Sequence, residues 1–209
     1  MKYAIETITR DEEQDSGRDP GHDVEHTLRV YNVGVFLGLK ENANMEILEP
    51  ALLLHDIVRP NDPEQEKIHA QLSAERSKEI LPKFGYSSEE IDKIIHAIRA
   101  HSRTDLAEEP QSLEAKIVYD ADKQDGLGYA GIDRARKLCE KRGYSLEQTA
   151  EWYLGRIIDV VKNKPLYTQK GKAIANSKLK LSLEFCREHL GKRYEELLME
   201  MLGTLEVKF

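Results

Sequence analysis

The chain has 209 residues, 40% of them hydrophobic and 33% charged, with a formal net charge of -7. That length buries a sizeable core in one large domain, and the acidic balance, with a pI near 5.6, argues against a general nucleic-acid surface. The two cysteines, Cys139 and Cys186, build no disulfide framework and stand in no metal-binding spacing. The start of the chain, Met1 to Glu6, lacks the apolar run of a signal peptide, and no stretch has the length of a membrane span. The reading is a cytoplasmic protein with no membrane partner.

In chain order, residues 10 to 21 are polar and rich in turn formers, which sets the first ten residues apart as a helix or arm. From Asp23 to about Leu39, Val30, Val33 and Leu37 recur at helical spacing, and His26 lies on the same face one turn before Val30. A second helix over 45 to 57 carries the apolar run Ala51 to Leu54 into His55-Asp56, and Pro60 ends it because proline has no N–H to donate. Taken alone, this dipeptide reads as a helix end where His caps carbonyls and Asp faces water. An ionised Asp beside core leucines is nevertheless costly unless it is paired or bound to metal.

A third helix is expected from Glu64 to Phe84, with His69, Leu72, Ser73, Arg76 and Ile80 along one stripe and Gly85 ending it. Ser87 with Glu90 forms a capping box for a fourth helix, whose face is Ile91, Ile94, Ile95 and Ile98. At 100° per residue His101 falls at the edge of that face and His96 opposite it, so His101 is directed inward and His96 outward. A fifth helix carries Leu113, Ile117, Val118 and Asp122. Ser145 with Gln148 caps a helix running to about Lys162, and a last long helix spans about Gln169 to Leu202, bent near Gly191. No period-two alternation supports a strand, so the fold class is all-α.

His26, His55, Asp56, His69, His101 and Asp122 are thus ligand-type side chains at inward or helix-terminal positions of separate helices. Helices that each aim one such group inward build a metal site on rigid supports. Imidazoles with carboxylates and no thiolate suit Mn, Fe, Co, Ni or Zn, with Mg also compatible.

The series His22-Asp23-Val24-Glu25-His26-Thr27-Leu28-Arg29-Val30, then His55-Asp56, then Asp120-Ala121-Asp122-Lys123 resembles the HD-domain metal-dependent phosphohydrolases, in their small bacterial and archaeal branch. His69 to Ala74, His101-Ser102, Gly128 to Arg134 and Thr168 to Ala175 extend the resemblance over about residues 16 to 200. It implies a helical-bundle HD core over about 16–165, with C-terminal helices of about 166–209 packed on it as one functional domain. It implies His26, His55, Asp56 and Asp122 as ligands of a divalent metal. His69 and His101 match positions that hold a second metal in dinuclear members and line the phosphate pocket in mononuclear ones. Gln124 stands where that branch more often carries an apolar residue.

The implied reaction is hydrolysis of a phosphate ester or anhydride in a small molecule, a (deoxy)nucleotide being the substrate class. Asp56 would ligate and orient the attacking water. His69 and His101 would serve the phosphate, donating a proton if charged, and Lys123, Arg29 and Arg59 would supply cations for phosphoryl oxygens. Two other functions fit the same residues: a dinuclear phosphodiesterase or dinucleotide hydrolase, and a non-catalytic nucleotide sensor. The long C-terminal helix could pack on its own core or on another subunit, so a homo-oligomer is compatible with the sequence.

Overall fold

The computed structural model of the chain describes residues 24–60, 62–102 and 108–202. The expected N-terminal arm and His22-Asp23 lie outside the described residues. Those described form ten α-helices and no strand: α1 (Val24–Glu41), α2 (Met45–Leu54), α3 (Pro63–Glu66), α4 (His69–Ile80), α5 (Ser88–Arg99), α6 (Leu113–Lys123), α7 (Gly128–Lys141), α8 (Leu146–Asn163), α9 (Gln169–Leu190) and α10 (Arg193–Leu202). Short 3-10 turns follow α4 at Leu81–Phe84 and α6 at Gln124–Gly126. The all-α expectation holds. Among the described residues, no helix is long and apolar enough to cross a membrane.

Local chemistry accounts for most helix ends. Both expected capping boxes form, Ser87 with Glu90 and Ser145 with Gln148, each satisfying two N–H groups that have no partner inside the helix. Asn44 and Asp62 cap α2 and α3 by accepting backbone N–H bonds. Gly85 adopts φ +81 and Gly191 φ +54, left-handed conformations that glycine enters without steric penalty. The expected bend near Gly191 is a full break between α9 and α10. The single helix expected over Glu64 to Phe84 is instead interrupted at Lys67 and Ile68, where Ile68 takes φ -114 and ψ 17. That interruption makes His69 the first residue of α4, with the carbonyl of Glu66 just behind it.

Tertiary contacts divide the chain into two compact units. The first runs through Asp122 and includes Leu166–Lys172. In it α1 packs on α2, α2 on α5, and α5 on α4. Gly34 and Gly38 let α1 approach closely: a Cβ at either would lie 2.3 Å from a methyl of Leu52 or Leu48. The buried run Ala51 to Leu54 therefore touches the helix that carries His26. Farther along, the buried carboxylate of Asp120 accepts the N–H groups of Tyr167 and Thr168 at 2.8 and 2.7 Å and the Thr168 hydroxyl at 2.7 Å. A Cβ on Gly171 would come 2.5 Å from that carboxylate. This clamp ties the Leu166–Lys172 segment to α6 two residues before Asp122.

The second unit, Lys123–Pro165 and Ala173–Phe209, has its own polar centre. The Tyr153 hydroxyl donates to the Gly126 carbonyl at 3.0 Å and lies 2.9 Å from the Ser182 hydroxyl, which also accepts the Gly128 N–H at 2.8 Å. Asp125 pairs with Arg134 at 3.1 Å, and Lys178 donates to the carbonyl of the buried Gln124.

Candidate metal centre

Three of the candidate ligands reach the pocket from helix ends. His55 follows the last residue of α2, His101 lies two residues beyond α5, and His69 opens α4 after the α3 turn. At all three the same contact recurs: Nδ1 bonds the carbonyl three residues earlier, Leu52 at 2.9 Å, Ile98 at 2.6 Å and Glu66 at 2.7 Å. Histidine near a helix C-terminus commonly caps free carbonyls. The bland reading of His55 as a capping residue is therefore correct, and it does not compete with ligation. Capping uses Nδ1 and leaves Nε2 facing inward.

The carbonyl partners assign the tautomer, because a neutral imidazole has one N–H and it must point at the carbonyl oxygen. Nε2 then presents a lone pair. His69 Nε2 and His101 Nε2 lie 3.2 Å apart, and His55 Nε2 lies 3.4 Å from His26 Nε2. Carboxylate oxygens crowd the same space. Asp56 approaches His26 and His55 through Oδ2 at 3.8 Å each, and His69 and His101 through Oδ1 at 3.6 and 3.2 Å, while Asp122 is 3.4 Å from His26. His26, His55, Asp56 and His101 are at most 2% exposed.

Two groups among the described residues have ligand atoms close enough to hold an ion: His26, His55 and Asp56, and Asp56, His69 and His101. Asp56 belongs to both. Asp122 stands beside the first, its Oδ1 3.4 Å from His26 Nε2.

Burial shapes the charge states. It pushes His55 down to about 4 and His69 down to about 3, with Asp56 opposing the shift in each case. Both are neutral at neutral pH. Burial is the largest single influence on the Asp56 carboxyl and raises it, but the Arg59 guanidinium, together with His55, a hydrogen bond from His101, and His69, outweighs that penalty and holds its pKa well below the usual range. The pocket thus sets the neutral imidazoles of His55 and His69 beside the ionised Asp56 carboxylate. A divalent cation fits that donor set, since it satisfies lone pairs that would otherwise oppose one another.

The angular reading of α5 is borne out in placement: His101 is 1% exposed, while the His96 side chain is 25% exposed, with Nδ1 3.1 Å from Glu108 and Nε2 accepting the Gln111 N–H. The Arg59 guanidinium lies between two carboxylates: its Nη1 donates to both Asp56 oxygens at 3.0 Å and its Nη2 meets Glu66 at 2.6 Å. Arg29 is one turn past His26 on α1, half-buried and 3.9 Å from Glu25. Lys123, half-buried, closes α6 directly after Asp122 and belongs to the second unit. Sequence reasoning missed Glu66, which holds both Arg59 and His69, and Asp120, which clamps Thr168. Glu66 falls at a break that helical periodicity smooths over. The only signal for Asp120 was that the segments carrying it and Thr168 both matched the same family pattern.

The model of the HD domain family matches residues 23–127, a span that contains every candidate site residue. The Bacillus subtilis protein YpgQ is 33% identical over 174 residues, which is 80% of this chain and 82% of that protein. The crystal structure of YpgQ in complex with ADP superposes with a TM-score of 0.71 at 26% identity, over 90% of this chain and 95% of that one. A predicted HD superfamily hydrolase from an uncultured Thermotogales bacterium has a TM-score of 0.68, also at 26% identity and over 91% of each chain. Ribonuclease Y of Chloroflexus aurantiacus is 33% identical over 132 residues, 63% of this chain but 24% of the ribonuclease.

Proposed function

The chain belongs to the HD domain family, and from that premise we propose that it is a metal-dependent phosphohydrolase of small phosphorylated molecules, with a (deoxy)nucleotide as substrate class. The observation that carries this reading is the convergence of imidazole lone pairs and two carboxylates in a buried pocket, with Nδ1 of three histidines already committed to carbonyls. The ADP bound by YpgQ supports the nucleotide assignment.

His26, His55, Asp56 and Asp122 would hold the ion, and the donor set suits Mn, Fe, Co, Ni or Zn, with Mg compatible. A divalent ion bound there lowers the pKa of water and polarises a phosphoryl oxygen. The protein's own groups do the rest. Asp56 is fixed from one side by Arg59, so its oxygens keep their orientation while substrate enters. His69 and His101, held by their Nδ1 bonds, offer Nε2 to accept a proton from the attacking water or a bond from the phosphate. Arg29, one turn past His26 on the same helix, is the cation for phosphoryl oxygens. Arg59 acts on Asp56 instead of directly on substrate.

A second reading, a two-metal phosphodiesterase, is favoured by one observation: Asp56 is shared between two ligand groups. The likeness to ribonuclease Y is in keeping with it.

The deciding experiment is phosphate release from a panel of nucleotides and dinucleotides with Mn, Mg, Co and Ni, run beside His55→Ala and Asp56→Ala. Release by the wild type that both variants lose supports the reading. Variants that hydrolyse like wild type end it. Thermal stabilisation by nucleotide with no turnover under any of the metals would favour a sensor instead.

A further inference from the structure

Asp56 is the side chain common to both ligand groups, and each of its oxygens faces a different pair of imidazoles. A third group sits on the same carboxylate. One nitrogen of Arg59 spans both oxygens at equal distance, 3.0 Å, and the other terminal nitrogen is drawn 2.6 Å from Glu66. Glu66 thereby sets two things at once, since its carbonyl also fixes His69 Nδ1.

The guanidinium cannot lose its charge under any physiological condition, and its planar fork keeps the two contacts in register. The Arg59 side chain is 13% exposed, so water screens that charge weakly. The two ligand groups are therefore unequal. Among the described residues the group of His69 and His101 has Asp56 as its carboxylate, and Arg59 sits equally on both Asp56 oxygens. The group of His26 and His55 has a second carboxylate nearby in Asp122. An incoming cation at either group would compete with Arg59 for an Asp56 oxygen and be repelled by it. At the group of His26 and His55, Asp122 compensates.

We infer that Arg59, tethered by Glu66, sets the number of cations this pocket holds: it stands in for a second metal beside Asp56, His69 and His101 and leaves one tight metal site. The inference rests on the metal-dependent reading above and sharpens it. It leaves Nε2 of His69 and His101 to water and phosphate, and it weighs against the two-metal phosphodiesterase.

The test is a calorimetric titration of the metal-stripped full chain with Mn²⁺ alone, with bound metal counted by elemental analysis after desalting. The wild type is expected to take up one tight equivalent per chain and a second about ten-fold or more weaker, equivalent to about 1.4 kcal/mol. Arg59→Gln is expected to keep the first equivalent and tighten the second by about ten-fold or more. Arg59→Lys, which retains the charge, is expected to behave as wild type. Two wild-type equivalents of equal affinity would overturn the inference even if no variant folds, while leaving the phosphohydrolase reading intact. So would an Arg59→Gln protein whose first equivalent is retained and whose second is no tighter, or an Arg59→Lys protein that gains a second tight equivalent. A wild type that binds no Mn²⁺ fails at the metal-dependent reading itself, and the inference falls with it.

Discussion

The pocket around Asp56 and the network around Tyr153 are both buried and polar, yet they are built on opposite principles. In the second unit donors meet acceptors: the Tyr153 hydroxyl and Gly126 carbonyl, the Gly128 N–H and Ser182 hydroxyl, Arg134 and Asp125. Such a network is closed, and it explains itself as structure. In the first unit acceptors crowd together, with the neutral His55 and His69 presenting Nε2 beside the Asp56 carboxylate and His69 Nε2 3.2 Å from His101 Nε2. Burying like with like is expensive without something of opposite sign between them. Polarity and burial do not separate a site from a scaffold here. Complementarity does.

The sharpest way to break this contrast is to remove a ligand. Asp56→Ala or His55→Ala should lower phosphate release by about 10²–10³-fold or more, on the scale seen when one electrostatic partner of a reacting group is lost. The same variants should lose the shift in unfolding free energy that Mn²⁺ gives the wild type, about 2.7 kcal/mol at a hundred times its Kd. Denaturant melts with and without Mn²⁺ check this apart from activity. If the variants are stabilised as strongly as wild type, the crowded acceptors are not a cation site.

Acid should next separate the two regions in the metal-free protein. An unfolded histidine titrates near 6.5, whereas folded His55 titrates at about 4 and His69 at about 3. As pH falls below 6.5 the unfolded chain takes up protons first, so stability present above that pH is lost progressively down to about 4. His55 alone accounts for about 3 kcal/mol over the window, at about 1.4 kcal/mol per unit. Urea melts of the metal-stripped chain between pH 7 and 4.5 measure it. Constant stability over that range would mean that the imidazoles are not held neutral.

In the closed network the expected effect is smaller and of a different kind. Ser182→Ala leaves the Gly128 N–H without its acceptor and takes a partner from Tyr153, at about 1–3 kcal/mol of unfolding free energy. It should leave the Mn²⁺ titration unchanged. Reduced Mn²⁺ affinity in a folded Ser182→Ala protein would show that the two polar centres are not independent.

How much of this was legible beforehand follows from the range over which each feature is decided. Capping boxes at Ser87 and Ser145 are settled within four residues, and both form as the sequence predicts. The inward placement of His101 follows from carrying the helical angle of α5 two residues past its end. The break at Ile68 was not legible, because the stripe from His69 to Ile80 keeps its period on one side of it. Nor was the Arg59–Glu66 contact, since nothing in composition tells a substrate-facing arginine from one folded back on Asp56. The clamp of Asp120 on Thr168 joins residues 48 apart and is decided by the fold alone. Which imidazole nitrogen faces the pocket is set by a backbone carbonyl, and carbonyls have no letter in the sequence.

The smallest expected effect tests the contrast within one residue type. His96 and His101 lie five residues apart, both near the end of α5. His96 has complementary partners on both nitrogens, Glu108 on Nδ1 and the Gln111 N–H on Nε2, and water can reach the same atoms if the ring is removed. His96→Ala should therefore change stability by no more than about 0.5 kcal/mol, as most surface substitutions do. Phosphate release and Mn²⁺ affinity should not move. His101→Ala takes away a ring nitrogen that faces His69 and Asp56, so its phosphate release should fall even where its stability does not. Measuring both variants in one series asks whether the neighbours of a histidine, and not its presence on α5, decide what it does. Equal losses of activity from the two would mean that the distinction drawn from complementarity is not the one the protein uses.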